Sequence, residues 1–196
     1  MASIPILILA AGASTRMGGE TKQLLPWGET TLLGHAIQQA NQVSETVVVV
    51  LGAKANDIRK SNPGQAETVV NTDWEKGMGG SISVGVRYLL EKGNNVDAIL
   101  IMLGDQPFLD APYLKKLMRK FEQGEHKIVA TSYGKKWGVP AIFDGSLATE
   151  LAALNQDFGA RHIIEKYRAG AKAISPKGKE NDIDTLEVYY QLIDGN

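Results

Sequence analysis

Ile4-Pro5-Ile6-Leu7-Ile8-Leu9-Ala10-Ala11-Gly12-Ala13-Ser14-Thr15-Arg16-Met17-Gly18, followed closely by Lys22-Gln23-Leu24-Leu25-Pro26, is the stretch whose reading decides the fold. A nearly continuous apolar run, Ile4–Leu9, gives way to small residues and then to two cations. Apolar runs without polar alternation belong to strands covered on both faces. Small side chains after such a strand let backbone N–H groups approach an anion closely. Arg16 and Lys22 are then placed to neutralise phosphate charge. The segment matches neither Gly-x-x-x-x-Gly-Lys-Ser/Thr nor Gly-x-Gly-x-x-Gly, so it is not a P-loop or a dinucleotide fingerprint. Two local readings remain: a phosphate cradle at the end of a buried strand, or a Gly/Ala turn with two surface cations.

Outward from this stretch, strand-like and helix-like segments alternate. Thr46–Leu51, Glu67–Asn71 and Ala98–Leu103 read as further strands. Helices are expected from Thr30 towards Gln42 with Leu33, Ile37 and Ala40 on one face, over Ala53–Lys60, and over Gly80–Glu91 with Ile82, Val86 and Leu89 inward. Asp110-Ala111-Pro112 is a helix start, an N-cap acid with an early proline, for a helix that Gly124 ends. Ile128–Tyr133 and Val139–Phe143 read as strands separated by a Gly-Lys-Lys-Trp-Gly turn. Helices near Gly145–Leu154 and Gly159–Tyr167, a short strand Lys172–Ser175 and a helix Thr185–Leu192 complete the chain. This βαβα rhythm predicts a three-layer α/β, Rossmann-like architecture with a mostly parallel central sheet. Ligands in such sheets sit outside the carboxyl ends of the strands.

Length and composition narrow the classes further. The 196 residues, without repeats or a linker, read as one domain, 1–196. With no cysteine there are no disulfides, thiolate metal sites or cysteine nucleophiles, a composition compatible with a cytoplasmic protein. A formal net charge of −1 gives no electrostatic footprint for a nucleic-acid partner. The short first apolar run, interrupted by Pro5, reads as a strand and not a signal peptide. No apolar stretch approaches the ~20 residues of a membrane span.

Acidic loops supply the second half of a site. Asp105 follows a buried strand directly, on a turn framed by Gly104 and Pro107. An acid there suits Mg²⁺, which takes one or two carboxylates plus phosphate oxygens; equally, it suits an Asx turn. Asp182-Ile183-Asp184 places both carboxylates on one side of an extended segment, as further metal contacts or as acids at the start of the next helix. Between them, Gly77, Gly79 and Gly80 precede a helix whose first N–H groups are free for an anion or a base, with Ser81 as cap or ligand contact.

Taken together these residues resemble the MobA-like nucleotidyltransferase family, and within it the molybdenum cofactor cytidylyltransferases. The matching motifs are Leu9-Ala10-Ala11-Gly12-x-Ser14-x-Arg16-Met17-Gly18 with Lys22 and Gln23-Leu24-Leu25-Pro26-Trp27-Gly28; Gly77-Met78-Gly79-x-Ser81; Leu103-Gly104-Asp105-Gln106-Pro107; Gly138-x-Pro140-x-x-Phe143; Asp157-x-Gly159-Ala160-Arg161; and Asp182-Ile183-Asp184-Thr185. They run in the family's order along almost the whole chain. The pattern departs in two places: Gln156 stands where the family often has Gly, and Leu186-Glu187-Val188 where it usually has Pro and two acids.

The resemblance implies a nucleotidyltransferase fold and a reaction in which CTP and a molybdopterin-type cofactor give the cytosine dinucleotide and pyrophosphate. It assigns Leu9, Ala10, Ala11, Gly12, Ala13 and Ser14 to the nucleotide, with Lys22; Asn71, Gly79 and Ser81 are base or ribose neighbours. Arg16, Lys22 and Asp105 are the catalytic set; Asp105 and Asp184, with Asp182 third, are the Mg²⁺ ligands. Asp157, Arg161, Gly138 and Pro140 are assigned to the cofactor substrate. No general base is needed, because a phosphate nucleophile is already ionised, so His35, His126 and His162 receive no catalytic task. GTP-using relatives carry Leu-Ala-Gly-Gly where this chain has Leu9-Ala10-Ala11-Gly12, and the Ala11 methyl favours the smaller pyrimidine. Rival readings are a GTP-using guanylyltransferase, a sugar-phosphate nucleotidyltransferase, an Asp-x-Asp glycosyltransferase, and a non-catalytic carrier that delivers the cofactor to a xanthine-dehydrogenase-type molybdoenzyme. A nucleotide panel separates the first two. The N-terminal position of the Arg16/Lys22 loop argues against the third, and the intact catalytic set against the fourth.

Overall fold

The computed structural model describes residues 3–61, 66–93, 96–155, 159–179 and 181–194. In chain order the elements are β1 (Ile6–Ala10), the hairpin β2 (Pro26–Trp27) and β3 (Thr30–Thr31), α1 (Leu32–Asn41), β4 (Val47–Leu51), α2 (Ala55–Ser61), β5 (Glu67–Val70), α3 (Met78–Glu91), β6 (Ala98–Leu103), α4 (Ala111–Glu122), β7 (Ile128–Tyr133), β8 (Lys136–Asp144), α5 (Ala148–Ala152), α6 (Gly159–Lys166), β9 (Ala171–Ile174) and α7 (Leu186–Asp194). Seven of these strands form one sheet in the order β5-β4-β1-β6-β8-β7-β9. All pairings are parallel except those of β8, which runs against both neighbours.

The apolar runs form strands because their pleat feeds two separate cores. Ile6, Ile8 and Ala10 point to one face, where they meet Leu33 and Ile37 of α1, Ile58 of α2 and Leu114 and Leu117 of α4. Leu7 and Leu9 point to the other, against Ile82, Val86 and Leu89 of α3, Leu151 of α5 and Ile163 of α6. That is the expected three-layer sandwich. Each fully buried Ile or Leu contributes about 1.5–3 kcal/mol of apolar burial. The helix starts also follow the sequence chemistry. Thr31 accepts from the Gly34 N–H at the head of α1, and Asp110 accepts from the Tyr113 N–H at the head of α4.

Boundaries differ from the sequence expectation most at two places. Thr30 and Thr31, expected in the first helix, pair with Trp27 and Pro26 as β3, so α1 begins at Leu32. The second place is the β7–β8 hairpin. The β7–β8 turn is only Gly134-Lys135, and β8 already starts at Lys136. Gly134 has φ +72°, the left-handed conformation that a two-residue hairpin requires. Trp137 and Gly138, expected in the turn, pair with Ser132 and Thr131 instead. The register then jumps from Gly138 to Ala141, leaving Val139 and Pro140 as a bulge. The Val139-Pro140 peptide is cis.

Leu9 of β1 lies level with Leu103 of β6, and the Gly104 N–H donates to the Leu9 carbonyl. The small-residue loop and the acidic loop therefore leave the sheet side by side at its carboxyl edge. Among the described residues no helix is long and apolar enough to cross a membrane.

Candidate active site

A cavity of about 580 Å³ opens at that edge. Its walls are the loop from Leu9 to Met17, Lys22 and Gln23, the turn at Trp74 and Glu75, the head of α3 at Gly77, Met78 and Ser81, Leu103 to Asp105, and the carboxylates of Asp182 and Asp184. The positions expected to hold phosphate and metal thus come together, from segments at both ends of the chain.

The small-residue loop after β1 is fixed from three directions. Met17 is buried with Leu25, Leu32, Ile183 and Tyr189 in a small core beneath it. The Ala11 carbonyl accepts from the Ala53 N–H; a Cβ on neighbouring Gly52 would stand 2.6 Å from that carbonyl oxygen and 2.6 Å from Trp74 Cβ. Gln23, buried and given no role by the sequence, donates to the carbonyls of Ala10 and Gly12. Ser14 holds φ +57°, an uncommon conformation for a residue with a side chain.

Lys22 is the electrostatic centre. Its Nζ lies 2.7 Å from Asp105 Oδ2 and 3.0 Å from Asp184 Oδ1. Arg16 reaches Asp184 Oδ2 at 3.1 Å from an exposed position. Burial by itself would lower the Lys22 pKa; the Asp105 charge and hydrogen bond, then those of Asp184, outweigh it and hold the ammonium above 10.5. Burial pulls Asp184 upward, but the hydrogen bond and charge of Lys22, with Arg16, hold it below 3.8. Asp182 goes the other way: burial raises it, and the neighbouring charges of Asp105 and Asp184 add to the rise against a hydrogen bond from Gln106.

Ile183 is fully buried, and its N–H donates to the Asp105 carbonyl. That anchor turns Asp182 and Asp184 together towards the cavity, the alternation expected from the sequence. Gln106, also buried, donates to Asp182 Oδ1 at 2.6 Å and to the Tyr133 hydroxyl at 2.9 Å. The Tyr133 hydroxyl donates on to the Val139 carbonyl in the β8 bulge. Asp105 Oδ1 and Gln106 Oε1 are buried and have no hydrogen-bond partner, so the Asp105 oxygen retains an uncommitted lone-pair site beside the cavity. Among the described residues no group of three or more acids or histidines converges on one point. A cation at Asp105 and Asp184 would therefore complete its shell with substrate oxygens and water, the habit of Mg²⁺.

Other expected contacts are less direct. Ser81 faces the cavity, while Asn71 lies behind it, donating to Ser81 Oγ and accepting from the Asp73 N–H. Gly79 is buried in the first turn of α3, which carries no side-chain cap at Gly77. Gly138 and Pro140 do not line the cavity; Pro140 lies in the bulge and Gly138 just before it, and the Val139 carbonyl between them receives the Tyr133 hydroxyl. Arg161 is exposed on α6 and also does not line the cavity, although α6 begins against Met78 at Gly159. Asp157 lies outside the described residues. His35 is structural, with Nε2 3.1 Å from the Pro107 carbonyl and the ring edge-on to Trp27.

Gln23, Gln106 and Tyr133 are the residues that sequence reasoning missed. For Gln23 and Gln106, quoted in the matching motifs without a role, the available signal was a polar amide next to Lys22 and next to Asp105; Tyr133, at the end of β7, carried no such signal.

Comparison with known proteins agrees with this geometry. Residues 6–171 match the family model for the MobA-like NTP transferase domain. The chain is 30% identical over 199 residues to nicotine blue oxidoreductase of Paenarthrobacter nicotinovorans, covering 95% of each. It is 29% identical over 119 residues to molybdenum cofactor cytidylyltransferase of Escherichia coli, covering 60% of this chain and 59% of that protein. Rv0371c of Mycobacterium tuberculosis superposes with a TM-score of 0.83 at 28% identity, covering 98% of both chains, and its complex with manganese with a TM-score of 0.79. With the family model matched over residues 6–171, this chain belongs to the MobA-like NTP transferase family, a family of nucleotidyltransferases.

Proposed function

We propose that the protein transfers CMP from CTP to the terminal phosphate of a molybdopterin-type cofactor and releases pyrophosphate. The observation that carries this reading is the Lys22 ammonium shared by Asp105 and Asp184 at the mouth of the small-residue loop, with Asp105 Oδ1 buried and unpartnered. An oxygen of the acceptor phosphate forms a bond to the α-phosphorus, and the bond from that phosphorus to the bridging oxygen breaks as pyrophosphate leaves. Such transfers need positioning and charge neutralisation more than a protein nucleophile. Backbone N–H groups of the loop from Ala10 to Ser14 hold the triphosphate. Lys22 and Arg16 stabilise charge on the α-phosphate and on the leaving pyrophosphate. Asp105 and Asp184, with Asp182 adjoining, would hold a divalent cation, Mg²⁺ in this reading, which supplies further neutralisation of the triphosphate. The family resemblance assigns Asp157, Arg161, Gly138 and Pro140 to the acceptor; Gln106 and Tyr133 connect the bulge at Val139-Pro140, which Gly138 precedes, to Asp182.

Choice of CTP rests on Ala11, whose methyl-bearing residue lines the cavity, and on the cytidylyltransferase relative. Asn71 and Gly79 then act behind Ser81 at the base or ribose. We read residues 1–196 as one domain of a cytoplasmic enzyme whose product goes to a xanthine-dehydrogenase-type molybdoenzyme. The test is transfer from CTP labelled at the α-phosphate: label should appear in a dinucleotide cofactor with wild-type protein and not with folded Asp105→Ala. Normal transfer by Asp105→Ala would remove that carboxylate from the metal site.

A further inference from the structure

Gln23 spends every hydrogen-bonding group that matters on the phosphate loop. Its Nε2 donates to the Ala10 carbonyl at 3.1 Å and to the Gly12 carbonyl at 3.0 Å. Its Oε1 accepts from Ser14 Oγ at 3.1 Å, and Ser14 Oγ in turn accepts from the Lys22 N–H at 3.1 Å. The result is a closed ring through Ala10, Gly12, Ser14, Lys22 and Gln23.

The ring has a directional consequence. In a trans peptide the carbonyl of one residue and the N–H of the next point opposite ways. With the Ala10 and Gly12 carbonyls turned onto Gln23, the N–H groups of Ala11 and Ala13 turn away from it, on a loop whose residues line the cavity. The same ring supports Ser14 in its left-handed conformation, which a residue with a side chain adopts only when its surroundings hold it there. It also fixes the backbone from which the Lys22 side chain departs.

We propose that Gln23 is the positioning residue of the phosphate loop: it sets the direction of the Ala11 and Ala13 N–H groups so that the nucleotide meets a preformed anion cradle. This deepens the nucleotidyltransferase reading and rests on it. Although Gln23 also lines the cavity, both donors and the acceptor of its amide are turned onto the loop, so its assigned role is to act through the loop. Without the clasp the loop samples open forms, and apparent affinity falls by the fraction of molecules whose loop is closed.

The test compares wild type, Gln23→Met and Ser14→Ala, using Mn²⁺·CTP and, as a probe without a base, inorganic tripolyphosphate. Gln23→Met keeps the length and bulk of the side chain and removes its polar groups. Its dissociation constants for both probes should rise about 10- to 100-fold through that reduced closed fraction. Hydrogen exchange at residues 10–14 should quicken in the free variant and return to the wild-type rate at saturation, a response that a purely structural role would not give. Ser14→Ala should weaken binding less, and should add nothing in the Gln23→Met background. Unchanged dissociation constants in folded Gln23→Met, or weaker binding without faster exchange at residues 10–14, would overturn the proposal. If Gln23→Met does not fold, Ser14→Ala decides by the same two readouts. Wild-type protein that binds tripolyphosphate but not CTP would overturn the CTP reading while the Gln23 comparison still stands; wild type that binds neither would overturn both.

Discussion

Replacing Lys22 by Met separates the charge at the centre of the site from its packing. Met retains most of the apolar stem, so the chief loss is the ammonium 2.7 Å from Asp105 and 3.0 Å from Asp184. Asp184 keeps Arg16, so the unpaired charge falls on Asp105, which already has one buried oxygen without a partner. Exposed pairs are worth about 0.2–1 kcal/mol, whereas removing one partner of a buried pair costs about 3–5 kcal/mol. The Lys22 side chain is 12% exposed and that of Asp105 26%, between those limits. A loss of about 2 kcal/mol follows from placing the pair between these limits. For a chain of this length that is about 4–8 °C in melting temperature. The assay is thermal and urea unfolding of Lys22→Met, Asp105→Asn and the double variant. The double variant should cost less than the sum of the singles by about 1 kcal/mol, because the two groups are in contact. Lys22→Met should also bind Mn²⁺ more tightly without nucleotide, since two carboxylates lose their resident cation. A melting temperature equal to wild type, or strict additivity in the double variant, would refute the reasoning.

Three further outcomes follow from the same geometry. Ala11→Gly should raise use of GTP relative to CTP in a competition assay, and an unchanged ratio would mean that Ala11 does not set base choice. Asp184→Asn should be less stable than wild type near neutral pH, by no more than about 1 kcal/mol given the exposure of that side chain. Because the folded carboxyl lies below 3.8, that contribution is present above pH 3.8 and is lost as pH falls through the folded value; unfolding curves should converge in acid, and a gap that widens there would contradict the pairing. Gly52→Ala places a Cβ 2.6 Å from the Ala11 carbonyl oxygen and from Trp74 Cβ. It should cost about 1–3 kcal/mol by overpacking and weaken nucleotide binding as well, because the contact displaces the loop itself; a loss of stability with unchanged affinity would show that the loop yields elsewhere.

Much of the fold was legible because single segments carried it. The apolar runs of β1 and β6 read as strands covered on both faces, and Asp110 marked a helix start by its own capping chemistry, whereas Thr31, read inside the first helix, lies in β3 and caps α1. The β7–β8 hairpin was not legible. Trp137 and Gly138 look like turn residues next to Gly134, yet a bulge at Val139-Pro140 lets them pair. Nothing local encodes where a partner strand will tolerate a bulge.

The candidate site divides along the same line. Arg16, Lys22, Asp105 and Asp184 were visible as residue types suited to phosphate and metal. Their mutual pairing was not, because Lys22 and Asp184 are 162 positions apart and meet only after the C-terminal segment folds back over the start of the chain. Gln23 and Gln106 were hidden for a related reason. An amide in a loop has no sequence signature until the carbonyls, carboxylate or hydroxyl that it serves have been brought to it. The buried Ile183 shows how little local signal is needed once that happens, since one apolar side chain orients the acids on both sides of it.

The measurement that bears most directly on the central claim is Mg²⁺-dependent pyrophosphate release by purified protein with molybdenum cofactor and, separately, CTP, GTP and ATP. Release is expected with CTP, dependent on both the cofactor and the divalent cation. Release chiefly with GTP would keep the mechanism and overturn the base assignment, and no release with any nucleotide, from folded protein and active cofactor, would contradict the cofactor nucleotidyltransferase reading itself.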